Sequence, residues 1–233
     1  MPNLIVHIGP GKCGSTSIQQ FFGSNKNPCN EKIHFHLLDP IEIKKLNCTE
    51  PTNSTLQFFK EIIKKYSSYC DVLILSHESL FNHPDSIKHL CEVASGFTSK
   101  TSVIGYSRRQ SDLLVSAYSQ WFFRSLKLNK KINIDLRKME VDTLLFSGLE
   151  KLLIAFIEND FYDDSFIILD MYRSYQKIEN LIKKMNVEVF CGILPNKKYK
   201  FSLIQDFCSN ANLTLRNSMN INRDRISNKK SWP

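Results

Sequence analysis

Leu4-Ile5-Val6-His7-Ile8-Gly9-Pro10-Gly11-Lys12-Cys13-Gly14-Ser15-Thr16-Ser17 is the stretch that decides the fold. An apolar run of strand length, Leu4 to Ile8, enters a glycine-rich turn, and a helix is expected from about Ser15 to Phe22. That is the context a phosphate-cradling loop requires. Glycines let the backbone turn tightly and approach an anion, and free N–H groups at the start of the helix point at it. Lys12 adds a mobile positive charge, and Ser15, Thr16 and Ser17 add hydroxyl donors. Gly11, Lys12, Cys13, Gly14, Ser15, Thr16 and Ser17 are therefore the candidate anion-binding residues. A Walker A element ends in Gly-Lys followed by Ser or Thr. Here the lysine lies two residues before Gly14, which weakens a Mg-nucleoside-triphosphate reading. The plain alternative is a glycine-rich turn that holds no ligand.

The same alternation of short apolar runs and amphipathic stretches continues outward. Lys32–Leu38, Asp71–Ser76, Thr101–Ser107 and Phe166–Asp170 read as strands. Thr55–Tyr66, Asp85–Ala94, Ser111–Leu126, Val141–Glu158 and Tyr175–Met185 read as helices, with apolar residues at helical spacing. One short strand, a helix near Phe201–Asn210 and irregular structure are expected after Asn186. Near-continuous Val/Ile/Leu strands separated by helices predict an α/β fold of three layers, P-loop-type, with a mostly parallel central sheet flanked by helices. A single domain over residues 1–233 is expected.

Two further motifs follow predicted strands. Arg108-Arg109-Gln110 opens a helix that carries Ser116, eight residues beyond Arg108. An arginine fork and a hydroxyl on neighbouring surfaces can clamp a phosphate from two sides, although an Arg-Arg pair before a helix is also an ordinary solvated feature. Ser76-His77-Glu78-Ser79 offers two candidate general bases, His77 and Glu78; the alternative is a helix cap and turn. In an open α/β sheet, ligands sit outside the carboxyl ends of the strands. Parallel strands would bring all three turns to that edge.

These motifs resemble the 3'-phosphoadenosine-5'-phosphosulfate (PAPS)-dependent sulfotransferase family, especially its bacterial and carbohydrate-acting branches. HIGPGKCGSTSIQ is similar to that family's 5'-phosphosulfate loop, with Cys13 where a threonine is usual. Arg108 through Tyr118 is similar to its 3'-phosphate element, with Arg109-Gln110 and Leu113 departing from the usual Asn-Pro and second arginine. LILSHESL looks like a strand-end Ser-x-Glu segment of bacterial members. The resemblance covers residues 4–22 and 71–122. It implies a sulfotransferase that moves a sulfo group from PAPS to a hydroxyl (or amine) of a carbohydrate-type acceptor, with 3'-phosphoadenosine-5'-phosphate (PAP) as product. It implies Lys12 beside the bridging oxygen, Glu78 or His77 as base, and Arg108 with Ser116 on the 3'-phosphate. It calls for no metal. A basic C-terminal segment in such enzymes often closes over the nucleotide, for which Arg216, Arg223, Arg225, Lys229 and Lys230 are candidates. The acceptor expected is a carbohydrate or glycolipid, with no nucleic-acid partner. Tyr118, Trp121, Phe122 and Phe123 line either an acceptor groove or the core.

Composition sets the bounds. With 233 residues, 42% hydrophobic and 11% aromatic, the chain suffices for a sizeable core. No apolar run approaches the ~20 residues that span a bilayer. The N-terminus lacks a basic leader region and a cleavage site, so a cytoplasmic location is expected. Seven cysteines, an odd number with no CxxC pair, argue against a disulfide framework or a zinc ribbon. Net charge is +8, and residues 196–233 hold eight Lys/Arg against two Asp. That segment is either a solvated tail or part of an anion site. Two rival functions stand: a P-loop ATP-dependent phosphotransferase, and a non-catalytic basic module that binds nucleic acid.

Overall fold

The computed structural model describes residues 1–11, 13–24, 27–46, 52–109, 112–113, 171–194 and 202–216. The chain divides into two compact units, Met1–Ser107 with Tyr172–Pro233, and Arg108–Met171. Lys12, Ser116, the aromatic residues 118–123, the expected helix 141–158, the expected strand 166–170 and the basic residues 223–230 lie outside the described residues, as does nearly all of the expected helix 111–126. Only Asp112 and Leu113 of that last helix are described, and both are helical.

The larger unit is built on a five-stranded sheet, every strand parallel to its neighbours. The strands are β1 (Asn3–Ile8), β2 (Ile33–Leu37), β3 (Val72–Ser76), β4 (Lys100–Ser107) and β5 (Val187–Ile193), in the order β2-β3-β1-β4-β5. The helices are α1 (Ser15–Ser24), α2 (Pro40–Leu46), α3 (Asn53–Ser67), α4 (Pro84–Ala94), α5 (Met171–Ile182) and α6 (Leu203–Asn210). The three-layer α/β expectation is met. A parallel sheet needs both faces covered, and this explains the burial pattern along each strand. All five residues of β3 are buried, whereas the edge strand β2 is half-buried.

Side chains alternate across a strand, so each central strand feeds two cores. Ile5, Ile104, Tyr106 and Ile74 pack with Ile18 and Phe22 of α1 and with Phe207 and Cys208 of α6. Their neighbours Leu4, Val6, Ile8, Leu73, Leu75 and Val103 are buried on the opposite face. There Phe59 and Ile63, four residues apart, supply the apolar stripe of α3, while Ile178 and Ile182 supply that of α5. Each such side chain contributes about 1.5–3 kcal/mol on burial.

Helix starts follow ordinary cap chemistry. Thr52 accepts from the Thr55 N–H ahead of α3, and Ser202 from the Gln205 N–H ahead of α6. α2 was not anticipated. Its signal is Asp39-Pro40-Ile41-Glu42: Asp39 Oδ1 accepts from the N–H groups of Ile41 and Glu42, and Glu42 Oε2 accepts from the Asp39 N–H at 2.8 Å. That is a capping box with proline at the first helical position. The expected helix 175–185 begins four residues earlier, at Met171, and ends at Ile182. No helix among the described residues is long and apolar enough to cross a membrane.

Strand order places a switch point at β1. From β1 the chain proceeds to β2 on one side, and from β4 to β5 on the other, while β1 and β4 are hydrogen-bonded neighbours. The carboxyl end of this pair is where an open α/β sheet forms a crevice.

Candidate functional site

The loop after β1 is shaped by two glycines. Gly14 has φ +88°, in the left-handed region where a Cβ is strained. A Cβ there would also stand 2.5 Å from a methyl of Leu203, so α6 lies directly on the turn. Gly9 is different. A Cβ on it would meet Ser15 Oγ at 2.9 Å, so the first hydroxyl of α1 folds back over the end of β1. A turn between them is closed by the Cys13 N–H donating to the Pro10 carbonyl at 3.2 Å, and the Ser17 N–H reaches the Gly14 carbonyl at 3.0 Å. The N–H groups of Ser15 and Thr16 open α1 and so have no carbonyl one turn back inside the helix.

Side chains around this turn divide by exposure. Cys13 is 1% exposed and faces inward, toward the hydroxyl of Tyr175, whose ionisation it opposes. Thr16 is exposed and Ser17 half-buried. Ser15 is 2% exposed, and its Oγ has no hydrogen-bond partner among the described residues. A buried hydroxyl left unpaired costs about 1–3 kcal/mol, so an orphan here calls for an explanation.

Beneath the loop lies a polar layer that sequence reading did not assign. His7 Nδ1 pairs with Ser76 Oγ at 2.8 Å, and Gln19 Nε2 donates to the same Oγ at 3.2 Å. This ties the ends of β1 and β3 to α1. His7 also meets Phe207 of α6 edge-on, with ring centroids 5.5 Å apart. Burial pulls the His7 pKa down to about 3, so it is neutral. A histidine inside an otherwise apolar strand was the available signal.

At the end of β3 a 3₁₀ turn spans Glu78–Asn82. His77 caps it: Nδ1 accepts from the Ser79 N–H at 3.1 Å and from the Ser79 hydroxyl at 2.7 Å. The neutral imidazole therefore carries its proton on Nε2, and burial lowers its pKa. Glu78 is half-buried at the first position of the turn. Thus the cap alternative describes His77, while Glu78 sits beside it at the same sheet end.

Ser107 ends β4, and Arg108 follows it, half-buried. Arg109 is exposed and pairs with Asp112 at 3.6 Å, one turn along. Within the larger unit, the end of β4 is fastened to α6. Tyr106 Oη donates to Asp206 Oδ2 at 2.7 Å, and Asn210 Nδ2 donates to the same oxygen at 3.2 Å. Burial and the Asp206 carboxylate push the Tyr106 pKa up. α6 therefore touches both Gly14 and β4, a role with no local sequence signal because the partners are 100 residues apart. Among the described residues, no group of three or more His, Cys, Asp or Glu side chains is arranged to hold a metal ion.

No protein-family model and no curated protein matches the chain. Among solved structures the chain is similar to a sulfotransferase from Alicyclobacillus acidocaldarius, at 11% identity and TM-score 0.44, covering 94% of this chain and 85% of that one. It is similar to the sulfotransferase domain of the curacin biosynthetic pathway at 10% identity and TM-score 0.41, covering 93% and 76%. A de novo designed protein of P-loop NTPase fold aligns at 10% identity and TM-score 0.28, covering 69% and 98%.

Proposed function

We propose that this chain is a PAPS-dependent sulfotransferase, acting as one domain over residues 1–233 in the cytoplasm, with a carbohydrate or glycolipid as acceptor. One observation carries the reading. Ser15, a buried hydroxyl without a protein partner among the described residues, sits at the N-terminus of α1 against Gly9, on the sheet edge where a parallel α/β fold takes its ligand. Glycines where a Cβ would intrude, a hydroxyl unpaired among the described residues and the opening amides of a ten-residue helix supply hydrogen-bond donors to this turn. That donor set fits a phosphosulfate, which accepts hydrogen bonds and carries negative charge.

When bound, PAPS supplies an activated sulfo group on a phosphate leaving group. The amides of Gly11, Cys13 and Gly14, with Ser15, Thr16 and Ser17, orient the anion. By the family resemblance, Lys12 would supply an ammonium to offset the negative charge of the leaving phosphate. Glu78 takes the acceptor's proton. It is preferred over His77 because the Nδ1 lone pair of His77 is engaged by Ser79 and its Nε2 bears the proton. By the same resemblance, Arg108 and Ser116 would hold the 3'-phosphate, the group that distinguishes PAPS from ATP. The carbohydrate acceptor rests on the family resemblance alone.

The test compares thermal unfolding with PAP against ATP–Mg²⁺, in wild type and in Ser15→Ala. A ligand at about 100 times its Kd stabilises by about 2.7 kcal/mol, so PAP raises the midpoint of the wild type. Ser15→Ala removes an orphan hydroxyl, so it leaves the ligand-free midpoint equal or higher while weakening PAP about tenfold, the worth of one charge-assisted hydrogen bond. A shift with ATP–Mg²⁺ and none with PAP would replace this reading with the phosphotransferase one.

A further inference from the structure

Two polar residues interrupt the apolar runs Leu4–Ile8 of β1 and Val72–Ser76 of β3, and the sheet register sets them side by side: His7 pairs with Ser76. Side chains two residues apart share a face of the sheet, so both point with Ile5 and Ile74 toward α1 and α6. His7 is 2% exposed and Ser76 0%. Ser76 Oγ takes two partners there. His7 Nδ1 lies 2.8 Å away, and Gln19 Nε2 donates from 3.2 Å.

Where those partners stand in the chain gives the contact its meaning. His7 lies just before Gly9, on the strand that enters the turn, and Gln19 lies one helical turn beyond Ser15, on the same face of the helix that leaves it. One hydroxyl on a neighbouring strand therefore fastens both legs of the turn across its base. The contacts within the turn act differently. The bonds from the Cys13 N–H to the Pro10 carbonyl and from the Ser17 N–H to the Gly14 carbonyl fix its curl, not the separation of strand from helix. The His77 N–H donates to the His7 carbonyl at 3.4 Å, which keeps the end of β3 against the entering leg.

An anion site made of backbone amides depends on that separation. The amides of the turn and those that open α1 must converge before the ligand arrives, since a turn ordered only on binding loses that ordering cost from its affinity. We propose that Ser76 is a positioning residue for the anion-binding turn, holding strand and helix at the separation that makes their amides converge. Ser76 is fully buried, so it acts through His7 and Gln19 and touches no ligand. The inference rests on the anion-binding part of the function proposed above and adds to it a residue outside the candidate contacts.

The test measures nucleotide affinity by calorimetry on full-length protein, with PAP and separately with ATP–Mg²⁺, below the unfolding range of every variant. Wild type that takes PAP upholds the reading. Wild type that takes only ATP–Mg²⁺ discards PAPS but keeps the turn as an anion site, and Ser76 is then judged with that nucleotide. Wild type that takes neither overturns both. The decisive pair is Ser76→Thr and Ser76→Val, which are alike in size and branching while only the first keeps the hydroxyl. Ser76→Val should bind about tenfold more weakly than Ser76→Thr, the worth of one hydrogen bond. Gln19→Leu should also weaken binding, and combined with Ser76→Val it should weaken it by less than the product of the single effects, because both act through one contact. Ile178→Val, a cavity on the opposite face of the sheet, should lower the unfolding midpoint and leave affinity unchanged, which separates positioning from stability. Equal affinities for Ser76→Thr and Ser76→Val overturn the proposal. If both of those variants fail to fold, Gln19→Leu decides: affinity equal to wild type overturns it.

Discussion

Lowering the pH from 7 to 4 should destabilise this protein through His7. The imidazole is 2% exposed, enclosed by Ser76 and Phe207, and burial pulls its pKa from 6.5 to about 3. A depressed base pKa means that the unfolded chain binds the proton first. Stability attached to His7 is therefore complete above the unfolded pKa and is lost as pH falls from 6.5 toward 3. Between pH 6.5 and pH 4 the gap is about 2.5 pKa units, worth roughly 3 kcal/mol at about 1.36 kcal/mol per unit. Against a domain stability of about 5–15 kcal/mol that is a large share. The assay is urea unfolding at pH 7 and pH 4 in wild type and in His7→Asn, whose amide does not titrate. His34 and His77, also lowered by burial, are common to both proteins and cancel in the difference. Wild type should lose roughly 3 kcal/mol more than the variant on acidification. Equal losses in the two proteins would refute the claim that the buried imidazole stays neutral.

Two other substitutions test the loop and its neighbour. Gly14→Ala should lower stability by about 1–3 kcal/mol in urea unfolding, from left-handed strain and the overlap with Leu203; adding Leu203→Ala should relieve the overlap but not the strain. His77→Ala should lose about 1 kcal/mol as a cap is removed, and His77→Asn should recover most of it, because asparagine supplies the same acceptor to the Ser79 N–H. If the asparagine variant recovers stability but loses turnover with the alanine one, His77 acts in the reaction as well as in the turn.

The parts legible in the sequence are those written in short-range pattern. β3 and β4 read as strands because both of their faces are buried, which leaves continuous apolar runs. The loop at 9–17 read as an anion turn because its glycines and hydroxyls follow a strand directly. α2 was legible and missed, since Asp39 and Glu42 stand at capping-box spacing around Pro40. The cap role of His77 is set by the fold, where Nδ1 accepts from the Ser79 N–H and hydroxyl. What could not be read is what crosses the chain. Nothing near Gly14 announces Leu203, nothing near Tyr106 announces Asp206, and nothing near His7 announces Phe207. All three partners lie on α6, an eight-residue helix whose periodicity says only that one face is buried.

That concentration on α6 bears on why the turn after β1 keeps its form. Within a few residues of the glycine-only backbone at Gly14 the chain accepts two unfavourable terms: a buried hydroxyl at Ser15 without a partner among the described residues and an imidazole at His7 held far from its ordinary pKa. Features of this kind persist only where surrounding structure over-determines them, and they cluster where a ligand repays the strain. The surroundings here are supplied from the far end of the sequence. Leu203 presses on Gly14, Phe207 covers His7, and Asp206 secures Tyr106 one strand away. A loop stabilised by its own sequence would need none of these contacts. On the proposed reading, a loop that holds an anion leaves its amides and the Ser15 hydroxyl for the ligand, so its support would come from a separate element, and α6 packs where that element would be needed.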